Sequence, residues 1–191
     1  MTNPSDPLRG LAEARESPGP APVHLWNPPY CGEIDMRIAR DGTWFYNGTP
    51  IGRPALVRLF SGILRKDRER FVLVTPVECV GIEVEDAPFL GVELLREGEG
   101  EAQILRLRTN VDDWVEISAK NPLKFLPGES GGLKPYVLVR GDLWALVKRA
   151  LFYDLVAWAE ARAVDGEEMF GVWSKGAFFA MAPMREIADL T

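Results

Sequence analysis

The chain has one histidine, His24, and two cysteines, Cys31 and Cys79. One histidine excludes a His-rich zinc cluster. It also leaves an acid–base triad only His24, at the end of a Pro-rich N-terminal stretch, where no structured cleft is expected. Two widely spaced cysteines make neither a disulfide framework nor a zinc pattern. Both read as small buried apolar residues. Long apolar runs are missing too. The best candidate, Leu143 to Ala163, is interrupted by Lys148, Arg149, Asp154 and Glu160, which excludes a spanning helix. No basic-then-apolar leader opens the sequence, so a cytoplasmic protein without a membrane partner is expected. Positive charge is in deficit: 22 Lys and Arg stand against 28 Asp and Glu, for a net charge of −6. A general DNA or RNA binder needs a basic surface to displace counterions, so neither is expected as a partner. A local basic pocket remains compatible with that balance. Gly-x-Gly-x-x-Gly, phosphate-loop and Gly-x-Ser-x-Gly motifs are all absent.

What is there is an ordinary globular composition. The 191 residues are 47% apolar and 26% charged, enough to bury a core without covalent staples. Residues 1–22 are rich in proline and charge and read as a disordered tail. Ile34, Met36 and Ile38 alternate with polar residues, which predicts a half-buried strand. Asp41-Gly42 and Asn47-Gly48 are hairpin signals, so 33–51 reads as a three-stranded meander with Pro50 at its edge. Pro54 suits a first helical position, and Leu56, Leu59, Phe60, Ile63 and Leu64 line one helical face to about Lys66. Strands are predicted at 71–74, 77–84, 91–95, 104–108, 114–117 and 136–140, with a loop at 127–132. Asp142 is a plausible N-cap for a long helix over 143–163. A hairpin around Lys175-Gly176 closes the chain.

The order strand, helix, strand occurs twice, at 43–75 and 136–174. This predicts an α+β fold of two small units, each with a helix packed on antiparallel strands, and a strand-rich segment between them. The expected units are 23–85 and 86–191.

Six residues are candidates for a site. Arg53 and Arg140 each precede a predicted helix start, where free N–H groups and a guanidinium both favour an anion. The plainer reading is pairing with the many carboxylates. Trp44 and Trp173 are the tryptophans chosen to stack on a base, although an aromatic is more often core. Asp154, on a helix running from 143, falls on the apolar face, so it is expected to be buried and paired or shifted in pKa. Glu78 joins it as a possible general base.

Several stretches carry a resemblance. They are Cys31-Gly-Glu-Ile-Asp-Met-Arg-Ile-Ala-Arg-Asp-Gly-Thr-Trp-Phe-Tyr46, Thr49-Pro-Ile-Gly-Arg53, Leu56-Val-Arg-Leu-Phe60 and Leu73-Val-Thr-Pro-Val-Glu78. Val84-Glu-Asp-Ala-Pro-Phe89, Thr109-Asn-Val111, Pro135-Tyr-Val-Leu-Val-Arg140 and Arg149-Ala-Leu-Phe-Tyr153 follow in order. Over residues 24–181 the chain resembles the proteobacterial domain of unknown function 1285 family. The resemblance implies a two-domain α+β protein with repeated motifs, a cleft between domains, a nucleotide-like ligand and a signalling role. The family offers no established catalytic residue to carry over. Trp44, Arg53, Thr75, Glu78, Arg140 and Tyr153 are motif positions that could line such a cleft.

The expectation is a non-catalytic protein that binds a small anionic, nucleotide-like ligand; no cofactor is specified. A metal-assisted hydrolase using Asp154 or Glu78 is the alternative from another class. A protein-interaction module with an exposed apolar patch is a third.

Overall fold

The computed structural model describes residues 20–128 and 131–188. The expected tail therefore falls almost wholly outside the described residues, as do Glu129 and Ser130 of the 127–132 loop. The chain divides into two compact units: the residues up to Pro88 with Gly141–Leu143, and Phe89–Arg140 with the residues from Trp144 onward.

The first unit is built on a six-stranded sheet. Its strands are β1 (Tyr30–Ile38), β2 (Trp44–Tyr46), β3 (Thr49–Pro50), β4 (Leu64–Asp67), β5 (Arg70–Val74) and β6 (Cys79–Val84). Their order in space is β3-β2-β1-β6-β5-β4. Two antiparallel meanders are thus joined by one parallel pair, β1 with β6, in which Arg37 lies beside Glu83 and Ile38 beside Val84. Helix α1 (Pro54–Gly62) connects the meanders, with Pro54 in its first turn as expected. Met36, Ile38, Trp44, Phe60, Ile63, Leu64, Val72 and Val74 are buried.

The second unit repeats that sheet. Its strands β7 (Phe89–Glu97), β8 (Ile104–Thr109), β9 (Trp114–Glu116), β10 (Leu123–Pro127), β11 (Leu133–Arg140) and β12 (Leu143–Val147) run in the order β9-β8-β7-β12-β11-β10. The first and sixth strands are again the parallel pair, with Ala145 beside Phe89 and Val147 beside Gly91. Helix α2 (Arg149–Ala157) follows. A three-stranded sheet of β13 (Glu160–Val164), β14 (Glu167–Ser174) and β15 (Ala177–Pro183) comes next, then a short helix α3 (Met184–Ala188).

The molecule is therefore strand-rich with few helices, and the repeat is one of six-stranded sheets. The strand–helix–strand echo read from the sequence does not coincide with it. Helix α1 lies between the third and fourth strands of its sheet, whereas α2 comes after the sixth strand of the other.

Three local expectations change. The first helix ends at Gly62, four residues before the expected Lys66, because Leu64 to Asp67 pair with Leu73 to Arg70 in a hairpin. The long helix over 143–163 is strand, helix and strand. Leu143 to Val147 alternate buried and half-buried, the period of a strand, and the stretch borders β7. Asp142 is then no N-cap. Gly141 (φ 48°) and Asp142 (φ 61°) are the left-handed residues of a two-residue turn between β11 and β12.

The hairpin signals separate by geometry. Asn47 (φ 47°) and Gly48 (φ 72°) make the expected tight turn. At Asp41-Gly42 only Gly42 is left-handed, and Gly42 N–H donates to Ala39 C=O at 2.9 Å, so the loop is one residue longer. Pro50 sits on the edge strand, where a missing N–H breaks no ladder.

Candidate functional site

The three-stranded sheet carries the best-formed side-chain constellation among the described residues. Two tight turns shape it. Asp165 (φ 52°) and Gly166 (φ 86°) join β13 to β14, and Lys175 (φ 51°) and Gly176 (φ 72°) join β14 to β15. Strand alternation then puts Glu160, Arg162 and Val164 of β13 on the same face as Trp173 and Phe178. Trp173 and Phe178 are cross-strand partners, in edge contact with centroids 5.2 Å apart. Phe178 swings across Gly171, where a Cβ would lie 2.7 Å from the ring tip; this close approach requires glycine there.

Trp173 is buried, and its indole N–H donates to the Glu160 carboxylate at 2.6 Å. The Arg162 guanidinium lies over the indole ring, 4.1 Å from its centroid, and 5.9 Å from that of Phe178. This cation–π stack holds an exposed arginine flat. The groove above it has a volume of about 440 Å³, and Glu101 and Asp165 bring carboxylates to its walls.

The hairpin that carries Trp173 is anchored by buried polar contacts. Ser174 Oγ donates to Ile117 C=O at 2.6 Å and accepts Leu105 N–H at 2.9 Å. Gln103 Nε2 donates to Trp173 C=O at 2.8 Å, and Lys175 N–H donates to Gln103 C=O at 2.8 Å. Lys175 also bonds Glu116, and this bond, with Arg106 nearby, holds the Glu116 carboxyl below its ordinary range.

The six candidates from the sequence have separate surroundings. Trp44 is only 1% exposed and stacks on Phe60 at 6.2 Å, so it is a core residue and no base platform. Arg53 is exposed at the N-terminal boundary of α1. Glu78 is fixed through its backbone: its N–H donates to Thr75 Oγ1 at 3.1 Å and its C=O accepts Thr75 N–H at 2.9 Å. Arg140 ends a strand rather than preceding a helix, and it bonds Asp113 at 2.5 Å beneath the ring of Phe89, 4.9 Å away. Asp154 is exposed, because α2 starts only at Arg149 and turns Leu155 inward instead. Trp173 lines the groove described above. Tyr153 is exposed and accepts a bond from Arg149 at 3.1 Å.

Sequence reading passed over Arg162, Glu160 and Phe178. The signal was present: Glu-Ala-Arg-Ala-Val alternates like a strand and leads into Asp165-Gly166. The helix extended to 163 concealed it. Among the described residues, no group of three or more His, Cys, Asp or Glu could hold a metal ion. No described helix is long and apolar enough to cross a membrane.

Family models decide the relationship. The N-terminal domain model of DUF1285, a domain of unknown function, matches residues 21–87, and the C-terminal domain model matches 88–181. The chain belongs to the DUF1285 family. Its fold is similar to the crystal structure of a DUF1285 family protein from Silicibacter pomeroyi DSS-3. The two share 50% identity over 96% of this chain and 99% of that one, with a TM-score of 0.88. A DUF1285 family protein from Shewanella baltica OS155 is 26% identical over 62% of this chain and 87% of that one, with a TM-score of 0.49. No curated protein matches the chain.

Proposed function

We propose that this DUF1285 protein is a non-catalytic binder of a small nucleotide-like ligand, held in the groove over Trp173. The supporting observation is the Arg162–Trp173 stack. A guanidinium held flat on one ring offers its other face to a second planar ring, and its N–H edge to an anion. The Glu101 and Asp165 carboxylates on the groove walls accept hydrogen bonds from ring N–H and exocyclic amino groups. With carboxylates outnumbering the single arginine, the groove favours the base over the phosphates of such a ligand. Occupancy, rather than turnover, is the output in a signalling role.

The test is a thermal-shift titration with guanosine, adenosine and cytidine monophosphates, alongside Arg162→Ala. A ligand specific for the folded state stabilises it by about 2.7 kcal/mol at a hundredfold excess over Kd. The expected result is a concentration-dependent rise for at least one nucleotide, lost in Arg162→Ala. A flat panel at millimolar ligand would end this reading.

A further inference from the structure

Strand β13 ends the three-stranded sheet, and Glu160 to Ala163 are all exposed. One edge of β13 thus has no neighbouring strand among the described residues. An open edge presents unpaired N–H and C=O groups, and proteins usually blunt it with proline, a bulge or charged side chains. β13 has neither proline nor bulge, and its two charges, Glu160 and Arg162, are opposite in sign and so complementary to a second copy rather than repulsive. Its sequence is Glu-Ala-Arg-Ala-Val, and its pairing with β14 runs through five residues without a register shift.

The two charges of β13 are opposite in sign and two residues apart. Consider a second copy lying antiparallel, with the two-fold axis at Ala161. Glu160 of each copy then faces Arg162 of the other, Ala161 faces Ala161, and Ala163 faces Ala159. Opposite charges directly across a ladder stabilise pairing, and the small residues between them raise no steric obstacle. Two positive residues at these places would face each other and repel. Both charged groups also contact Trp173 of their own chain, Glu160 at the indole N–H and Arg162 at the indole face.

We propose that β13 pairs with β13 of a second copy in a symmetric dimer, joining two three-stranded sheets edge to edge. This proposal does not rest on the ligand reading.

Sedimentation velocity on the full chain at low salt, from about 5 to about 500 μM, spans the affinities of a small interface. The wild type is expected to dimerise within that range. Arg162→Glu and Glu160→Arg each place like charges opposite one another twice and should weaken the dimer at least about tenfold. The double variant Glu160→Arg with Arg162→Glu restores both pairs and should recover it. Ala161→Asp sets two carboxylates against each other at the axis. It should abolish the dimer while leaving the Trp173 groove and any nucleotide-induced thermal shift unchanged. A wild type that stays monomeric throughout, single variants that dimerise normally, or a charge-swapped double variant that does not recover would each overturn the proposal.

Discussion

Ser174→Ala is the sharpest test of how the Trp173 hairpin is held. Ser174 is fully buried, and its hydroxyl serves two backbone groups, Leu105 N–H and Ile117 C=O. Alanine removes the hydroxyl and brings nothing to either group. A buried polar group left unsatisfied costs about 1–3 kcal/mol, so the pair should cost about 2–6 kcal/mol in total. In a chain of this length that lowers Tm by roughly 5–25 °C. Denaturant unfolding followed by tryptophan fluorescence gives the free energy, and hydrogen exchange at the Leu105 amide locates it. Gln103→Leu is the companion variant. Gln103 is equally buried and bonds Trp173 C=O, but its own Oε1 has no partner among the described residues. Leucine leaves Trp173 C=O without its donor but also removes an orphaned acceptor, so the two effects offset and its cost should stay below that of Ser174→Ala. A Ser174→Ala loss under about 0.5 kcal/mol, with Leu105 exchange unchanged, would refute the anchoring argument.

Arg140→Ala should cost about 1–2 kcal/mol, between an exposed and a buried ion pair, and leave any nucleotide-induced shift intact. Loss of that shift would return Arg140 to the site. Glu85 accepts Arg40 N–H at 3.0 Å and bonds Arg37, and these contacts hold its carboxyl below the ordinary range. Its stabilisation is therefore present at neutral pH, above the unfolded pKa, and is lost as pH falls through the folded value. Glu85→Gln should flatten the acid limb of a Tm-against-pH curve, and an unchanged limb would count against the Glu85 contacts. Cys31 is exposed, while burial raises the thiol pKa of Cys79. A disulfide-exchange reagent should therefore titrate Cys31 quickly in the native protein and Cys79 only on unfolding. Equal rates would contradict the burial of Cys79.

Local chemistry was legible where it acts over a few residues. Asn47-Gly48 and Lys175-Gly176 announced their turns because both central positions need positive φ. Pro54 marked a helix start, and Pro50 marked an edge. The alternation of Ile34, Met36 and Ile38 announced β1. The motifs carried the family. Of the candidate site, Trp173 was chosen from the sequence; Arg162, Glu160 and Phe178 were not. Residues 143–163 show why. Their apolar positions fit a helix as well as two strands around a shorter helix, and only pairing beside β7 and β14 selects the second. Asp154 lost its expected burial for the same reason, since its helical phase depended on a helix beginning at 143. Arg140 looked like an anion ligand until Asp113, far along the chain, occupied it. Turn and cap preferences reside in single residues, so sequence alone determined them. Strand pairing, side-chain stacking and ion-pair choice depend on partners distant in sequence. Those only the tertiary structure decided.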